Sequence, residues 1–164
     1  MATSRPSRLG TDETLCLVLF DGVCNLCNAS VNWVIDRDHG KAFRFVPLQT
    51  PAGRAIVERI GRDPNELSTL VAVEAGEHSI RSDAALRVGR RLGPPWSRFA
   101  AAARFLPRPV RDLGYRFVAA SRYRVFGKRA ACRVPTPELQ SRFLDGDDIV
   151  SALSTAGFDT TART

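Results

Sequence analysis

Long hydrophobic runs are missing from this sequence of 164 residues. The apolar stretch from Leu15 to Phe20 is far shorter than the roughly 20 residues that a membrane-spanning helix needs. The first 14 residues contain no apolar segment of the kind found in a secretory signal peptide. We therefore expect a soluble, cytoplasmic protein in which one domain of ordinary size forms a single hydrophobic core.

Acidic residues are scarce in the later part of the chain. Between residues 81 and 133 only Asp83 and Asp112 oppose many arginines, and the whole chain has a formal net charge of +7. Lysine is also rare, since only Lys41 and Lys128 are present, so the excess of arginine can reflect genome composition as much as a ligand. We expect no nucleic-acid partner. The Arg-rich C-terminal half stays a candidate surface for an acidic protein or a peripheral membrane contact.

Ring side chains recur in this same half at near-helical intervals. Two explanations are open: the rings close a hydrophobic core, which is the favoured explanation, or they form a stripe that faces a membrane. The residues are Trp96, Phe99, Phe105, Tyr115 and Phe117.

The four cysteines indicate thiol chemistry or metal binding rather than structural disulfides, because the cytoplasm keeps structural thiols reduced. Cys24 and Cys27 form a Cys-x-x-Cys pair, but the second pair that zinc typically needs is absent. Covalent haem is excluded because Asn28 stands where its attachment motif requires histidine. The sequence favours a redox pair without metal or cofactor, and zinc binding is the less favoured alternative.

The other two cysteines lie in different surroundings. Cys16 belongs to an apolar run and is expected to be a small core residue. Cys132 lies between Arg129 and Arg133, where an exposed thiol would be activated. An ordinary structural cysteine is favoured there over a third redox thiol.

Hydrophobic patterning predicts the element order βαβαββα over residues 15–93. The apolar run up to Phe20 is typical of a buried strand, and apolar residues at helical spacing after Cys24 predict a helix that closes at Gly40. A second strand, a second helix, a hairpin and a third helix capped by Ser82 or Asp83 follow. The later elements are predicted over Phe43–Leu48, Thr50–Ile60, Leu70–Arg81 with a loop at Ala75–Glu77, and Ser82–Leu92. A right-handed crossover makes the first two strands parallel. The expected fold is therefore α/β, a thioredoxin/glutaredoxin-like core with a four-stranded mixed sheet.

A helical extension over residues 94–156 is expected to pack on this core. Pro107 and Pro109 are predicted to separate its first two helices. The predicted helices span Trp96–Leu106, Val110–Ser121, Thr136–Leu144 and Asp147–Ala156. The ends of the chain, residues 1–14 and 157–164, are expected to be flexible.

A Cys-x-x-Cys pair at a helix start supplies the two thiols that a dithiol enzyme needs. Free backbone N–H groups and the helix dipole stabilise a thiolate at Cys24, which we therefore predict to be the exposed, attacking thiol. Cys27 lies one turn later and deeper, in line with Val31, and is predicted to resolve the mixed disulfide. Asp21 either accepts the Cys27 proton or fixes the turn by binding backbone amides. We expect Asp21 to support catalysis more than folding.

Strand topology predicts which residues gather around the dithiol. The ends of the first, second and fourth strands and the start of the third share one edge, so Gln49, Thr69 and Ser82 are predicted to bind substrate beside Cys24. Ser82 and Asp83 resemble, in position and residue type, the element with which glutathione transferases and glutaredoxins hold glutathione, although helix capping is favoured for both.

The segment Phe20–Cys27 contains Asp21 followed by the pair Cys24 and Cys27. In this pattern of one aspartate and two cysteines the chain resembles the DCC family of thiol-disulfide oxidoreductases. Further matching segments are Phe43–Gln49, Arg81–Ala85, Arg108–Asp112, Arg122–Gly127, Cys132 and Arg142–Leu144. The resemblance covers about residues 17–144 and implies a thioredoxin-like fold and disulfide exchange with protein or small-molecule substrates. Thioredoxins place a cis-proline before the third strand, where this chain has Ser68–Leu70, so substrate docking is expected to differ.

Overall fold

The computed structural model describes residues 15–66, 69–128 and 142–144, together with 154, 155 and 157. The described part contains a sheet, five named helices and a 3-10 turn at Pro64–Glu66. The elements are β1 (Cys16–Phe20), α1 (Asn25–Ile35), β2 (Phe43–Pro47), α2 (Pro51–Arg59), β3 (Val71–Glu74), β4 (Glu77–Ile80), α3 (Arg81–Arg91), α4 (Trp96–Ala103) and α5 (Arg108–Phe126). The predicted order βαβαββα is confirmed, and α4 and α5 follow it.

The four strands form one mixed sheet in the order β2-β1-β3-β4. β1 and β2 are parallel up to the pair Phe20 and Pro47, whereas β3 is antiparallel to both β1 and β4. Because Val71 pairs with Leu19 on one side and Ile80 on the other, β3 starts at the edge where β1 and β4 end. This confirms the predicted α/β, thioredoxin-like arrangement and the shared edge.

Both faces of the sheet are covered, and every residue of β1 is buried. Leu17 packs with Ile56 in an apolar cluster on the α2 side, and Phe20 belongs to a second cluster on the side of α1 and α3. Fully burying one such side chain contributes about 2 kcal/mol. α2 approaches β2 so closely that a Cβ atom at Gly53 would overlap the carbonyl oxygen of Pro47.

α1 ends at Ile35, before the predicted end at Gly40. Asp38 is buried, and its carboxylate accepts the backbone N–H groups of Ala42 and Phe43 at 3.0 and 3.1 Å. These hydrogen bonds fix the turn into β2, so the chain leaves the helix early.

Two predicted boundaries around β4 are wrong. The hairpin turn contains only Ala75–Gly76, both with positive φ, which suits the twist of a two-residue hairpin and leaves Glu77 in β4. α3 follows β4 without a loop, so Ile80 is its N-cap residue and no side chain caps it. The predicted capping by Ser82 or Asp83 is therefore wrong, because both already lie in the first turn.

The helices of the extension also end at residues other than those predicted. α4 ends at Ala103 rather than Leu106, and α5 continues to Phe126 rather than ending at Ser121. Pro109 does not interrupt α5, because it lies in the first turn, where a backbone N–H has no helical partner. α4 packs on α3, and α5 packs on α1 and α3.

Few residues after Lys128 are described. Phe143 pairs with Phe45 in a parallel bridge beside β2, so residues 142–144 are not the predicted end of a helix. Cys132 and most of the last two predicted helices lie outside the described residues. The predicted flexible ends lie outside them as well, apart from residue 157. The division into a core and an extension stays a prediction. In the part of the chain that is described, no helix has the length and apolar character to cross a membrane.

Candidate functional site

Cys24 is the N-cap residue of α1, and Cys27 lies in the first turn of this helix. The Cys24 Sγ accepts the backbone N–H of Cys27 across 3.3 Å. Both side chains are free thiols. The Cys-x-x-Cys spacing thus brings the two thiols together where the helix begins, as the sequence predicts.

The exposure of the two thiols is the reverse of the prediction. Cys24 is 0% exposed, whereas Cys27 is partly exposed. The segment after α5 covers Cys24, since Lys128 forms a bridge with it and the Gly127 carbonyl accepts the Asn25 N–H at 3.5 Å. The periodicity of α1 alone predicts the wrong order of burial, because it contains no information about this covering segment.

Burial, and after it the hydrogen bond with the Cys24 side chain, raises the pKa of Cys27 to about 12. The Arg122 guanidinium acts in the opposite direction, with Nη1 at 3.8 Å from the Cys27 Sγ. Cys27 is therefore protonated at neutral pH, which is the state that a resolving thiol needs before it reacts.

Asp21 is 2% exposed, and hydrogen-bond donors surround its carboxylate. Oδ1 accepts the Val23 N–H at 3.2 Å and the Gln49 Nε2 at 2.8 Å. Oδ2 accepts the Arg122 Nη2 at 2.9 Å and the Tyr123 hydroxyl. The bond to Val23 supplies the turn-fixing role that the sequence left open. The bond to Arg122, itself 3% exposed, adds a buried ion pair.

Arg122 and Tyr123 are the residues of this site that sequence reasoning missed. Both lie in a segment that resembles the family, but Asp21 and Arg122 are 101 positions apart. Helical spacing carried a signal, because Arg111, Tyr115 and Arg122 fall on one face of α5. The structure turns that face toward the core, where each of the three side chains contacts a protein group.

Gln49 and Thr69 lie at the predicted edge, and both contact protein groups. The Gln49 Oε1 accepts the Gly22 N–H at 3.0 Å while its Nε2 donates to Asp21, so Gln49 supports the turn before the dithiol. The Thr69 hydroxyl donates to the Tyr115 hydroxyl at 3.4 Å. Substrate binding by Gln49 and Thr69 stays a prediction.

Ser82 and Asp83 contact α5. The buried Ser82 hydroxyl donates to the Asp112 carboxylate, and this hydrogen bond lowers the pKa of Asp112. Asp83 binds Arg111 at 2.9 Å and Arg108 at 3.1 Å. A glutathione-like carboxylate would compete with these contacts, so substrate binding here also stays a prediction.

A cleft of about 330 Å³ opens beside Thr69 at the same edge. Its floor is apolar, and its charged lining residues are Arg62, Asp63, Arg81 and Arg116. Arg81 has a φ of 54°, a left-handed conformation that is uncommon for residues with a side chain. Because three arginines and one aspartate are its charged lining residues, the cleft carries a net positive charge.

Cys27 lines a separate apolar cavity of about 200 Å³ between α1, α5 and the sheet. No group of three or more His, Cys, Asp or Glu side chains that could hold a metal ion occurs among the described residues.

The mixed four-stranded sheet and the dithiol at the start of its first helix define a dithiol protein of thioredoxin-like fold. The model of the DCC1-like thiol-disulfide oxidoreductase family matches residues 18–128. The chain belongs to this family, as its resemblance in sequence implies.

Two relatives are similar over most of the chain. YuxK of Bacillus subtilis (strain 168) is 39% identical over 128 residues, which cover 78% of this chain and 93% of YuxK. A chloroplastic DCC family protein of Arabidopsis thaliana is 40% identical over 118 residues, which cover 72% of this chain and 69% of the relative. No solved structure matches the chain significantly.

Proposed function

We propose that the protein exchanges electrons with protein or small-molecule disulfides through Cys24 and Cys27. The observation that carries this proposal is the position of Cys24 at the α1 N-terminus, with its sulfur on the N–H of Cys27. The Cys24 sulfur therefore lies at the end of α1 where backbone N–H groups and the helix dipole interact favourably with negative charge. We place this chemistry in the cytoplasm, with glutathione-like disulfides among the candidate substrates.

The reaction proceeds in two exchanges. The Cys24 thiolate attacks one sulfur of the substrate disulfide, which forms a mixed disulfide and releases the other sulfur as a thiolate. Cys27 then loses its proton and attacks the Cys24 sulfur, releasing the second substrate thiolate and leaving a Cys24–Cys27 disulfide. A dithiol reductant restores the pair in the opposite sequence of steps.

Arg122 assists the second exchange. Its guanidinium lies between the Cys27 sulfur and the Asp21 carboxylate, so its positive charge stabilises the Cys27 thiolate as it forms. Asp21 fixes Arg122 in this position, and proton transfer from Cys27 to Asp21 is the further role that we propose for it. The segment Gly127–Lys128 must move aside before a substrate reaches Cys24.

A redox titration of the full chain in glutathione buffers tests the proposal. We expect the Cys24–Cys27 pair to oxidise reversibly at a potential between about −300 and −120 mV. The Cys24→Ser protein should reduce no disulfide, and the Cys27→Ser protein should accumulate a mixed disulfide at Cys24. Cys16→Ala is the matched control, because Cys16 lies in the core and should leave turnover intact.

Two results would contradict this function. One is a pair that stays reduced across that whole range of potentials. The other is a Cys24→Ser protein that is folded and still reduces disulfides at the wild-type rate.

A further inference from the structure

α5 presents several of its charged side chains to the protein and several of its apolar side chains to the outside. On the inner face, Arg111 binds Asp83, Arg122 binds Asp21, and Asp112 accepts the Ser82 hydroxyl. The outer face carries Val110, Leu113 and Phe117, which are 54%, 68% and 75% exposed. A surface helix of a globular protein normally has the opposite arrangement.

The exposed apolar side chains form a continuous stripe. Val110, Leu113 and Phe117 are three and four positions apart, the spacing that stacks side chains on one face of a helix. Leu106, at 50% exposure, lies in the segment that connects α4 to α5, just before this face of the helix begins. We call Leu106, Val110, Leu113 and Phe117 the outer stripe. Apart from Trp33, all exposed large hydrophobic side chains of the described part lie between residues 99 and 126. The favoured expectation that the aromatic residues of this region close a core is therefore wrong for Phe99, Phe105 and Phe117.

Among the described residues, exposed arginines flank the outer stripe. Arg104, Arg116 and Arg124 are exposed, and none of them lies within ion-pair distance of an acidic group among the described residues. Asp112 is the one acidic residue of α5, and it lies on the inner face beside Ser82. The outer surface of α5 thus combines apolar and cationic groups without an anion.

We propose that the outer stripe docks the protein on an anionic phospholipid surface. Apolar and aromatic side chains on a helix that lies flat enter the boundary between headgroups and acyl chains, while the flanking arginines bind the lipid phosphates. A second copy of this chain fits less well, because pairing the two stripes would oppose arginine clusters of equal charge. Patches of this kind on soluble proteins mark interaction sites.

Membrane docking would orient the dithiol. The inner face of α5 holds Arg122 against Asp21 and Cys27, and the segment that covers Cys24 directly follows this helix. A docked α5 therefore fixes the orientation of the redox site, which lies behind this one helix, about 10 Å from the lipid surface.

Sedimentation with lipid vesicles tests this proposal. The full chain is mixed with vesicles of phosphatidylcholine alone, or with about 30% phosphatidylglycerol, at low and high salt. We expect binding to the anionic vesicles, little binding to phosphatidylcholine, and weaker binding at high salt as the charges are screened. A Leu113→Ser/Phe117→Ser protein should bind at least about tenfold more weakly. Each change of Arg116 or Arg124 to Gln should weaken binding roughly fivefold.

Val125→Ser is the matched control variant. The exposed fraction of Val125, 66%, is nearly that of Leu113, 68%. Val125 lies about 80° around the helix from Phe117, away from the outer stripe. This variant should bind anionic vesicles like the wild type. Disulfide exchange in solution should be unchanged in the Leu113→Ser/Phe117→Ser, Arg124→Gln and Val125→Ser proteins, so the outcome does not depend on the function proposed above.

Three outcomes would overturn the proposal. The first is the absence of binding to anionic vesicles at about 1 mM lipid. The second is an equal loss of binding in the Val125→Ser and Leu113→Ser/Phe117→Ser proteins. The third is a dimer or a complex with an acidic protein that the double variant abolishes while vesicle binding persists, which would assign the stripe to that partner.

Discussion

Asp21 and Arg122 illustrate how one contact changes the expected role of a residue. From the sequence alone, Asp21→Asn should slow turnover and leave stability almost unchanged. In the structure the same change removes the carboxylate charge that faces a guanidinium only 3% exposed. Removing one partner of a buried ion pair is strongly destabilising, because the other charge stays out of water.

We therefore predict that Asp21→Asn lowers the free energy of unfolding by about 3–5 kcal/mol. Urea denaturation of the reduced protein measures this change. Asp36→Asn is the control, since Asp36 is exposed at the C-terminus of α1 and its change should have little effect. Equal stability of the two variants would show that the Asp21–Arg122 pair does not stabilise the fold. Disulfide turnover of the folded Asp21→Asn protein then measures any separate loss in catalysis.

A second prediction at this scale concerns Cys16 and alkaline pH. Burial raises the pKa of Cys16 to about 12, from about 9 when the chain is unfolded. A thiol with a raised pKa in the folded state contributes its full stability below about pH 9, and this contribution is lost as the pH rises toward 12. Between these values the loss is about 1.4 kcal/mol per pH unit.

The comparison with Cys16→Ala isolates this thiol from other titrating groups. The variant lacks the ionisable group, so the difference in unfolding free energy from the wild type should shrink as the pH rises from 9 to 11. Denaturation under reducing conditions at several pH values measures it. A difference that stays constant over this interval would contradict the prediction.

At the scale of the elements, α5 and the segment after it decide access to the dithiol. Gly127 has φ 75° and ψ 176°, a conformation essentially restricted to glycine, and an added Cβ would lie 3.4 Å from the Asn25 Nδ2. The Asn25 Nδ2 also donates to the Phe126 carbonyl at 2.7 Å. These contacts hold the covering segment over Cys24.

We predict that Gly127→Ala uncovers Cys24. Strain of about 1–3 kcal/mol in the closed state should raise the rate of Cys24 alkylation roughly 5- to 100-fold. Mass spectrometry of the modified peptides separates Cys24 from Cys27. Gly114→Ala is the control, because nothing lies within 4 Å of the added Cβ in the middle of α5. Wild-type alkylation in a folded Gly127→Ala protein would show that this segment does not limit access.

At the scale of the whole molecule, the chain has a formal net charge of +7, and arginine side chains line a cleft at the edge of the sheet where β3 begins. Arg62, Arg81 and Arg116 line the cleft beside Thr69, with Asp63 as its acidic lining residue. A cleft with a net positive charge concentrates anionic ligands. Acidic disulfides should therefore be better substrates than neutral ones.

We predict that Arg81→Gln and Arg116→Gln each lower kcat/KM for oxidised glutathione roughly three- to fivefold. For the neutral hydroxyethyl disulfide, kcat/KM should change less than about twofold. Arg90→Gln is the control, since Arg90 lines another surface, beside Glu74 and Glu77. Equal losses for both disulfides, or for the control variant, would rule out the cleft as an anion site.

The sequence was sufficient for the features that depend on local periodicity. Strand β1, the position of Cys24 at the start of α1 and the Thr50–Pro51 start of α2 follow from patterns of two or 3.6 residues and from capping preferences. The crossover rule then gave the sheet and its shared edge. The predicted ends of elements are wrong where a side-chain hydrogen bond or a tight turn ends the element early. The Asp38 carboxylate does this after α1 by accepting the backbone N–H groups of Ala42 and Phe43.

The sequence by itself determined the element order, the dithiol and the edge of the sheet that carries it. Only the tertiary structure decided that Arg122 pairs with Asp21, that α5 engages Ser82 and Asp83, and that Lys128 covers Cys24. The physical reason is distance along the chain. Local periodicity fixes which face of α5 a residue occupies, whereas the packing of α5 against α1 and α3 fixes what that face meets.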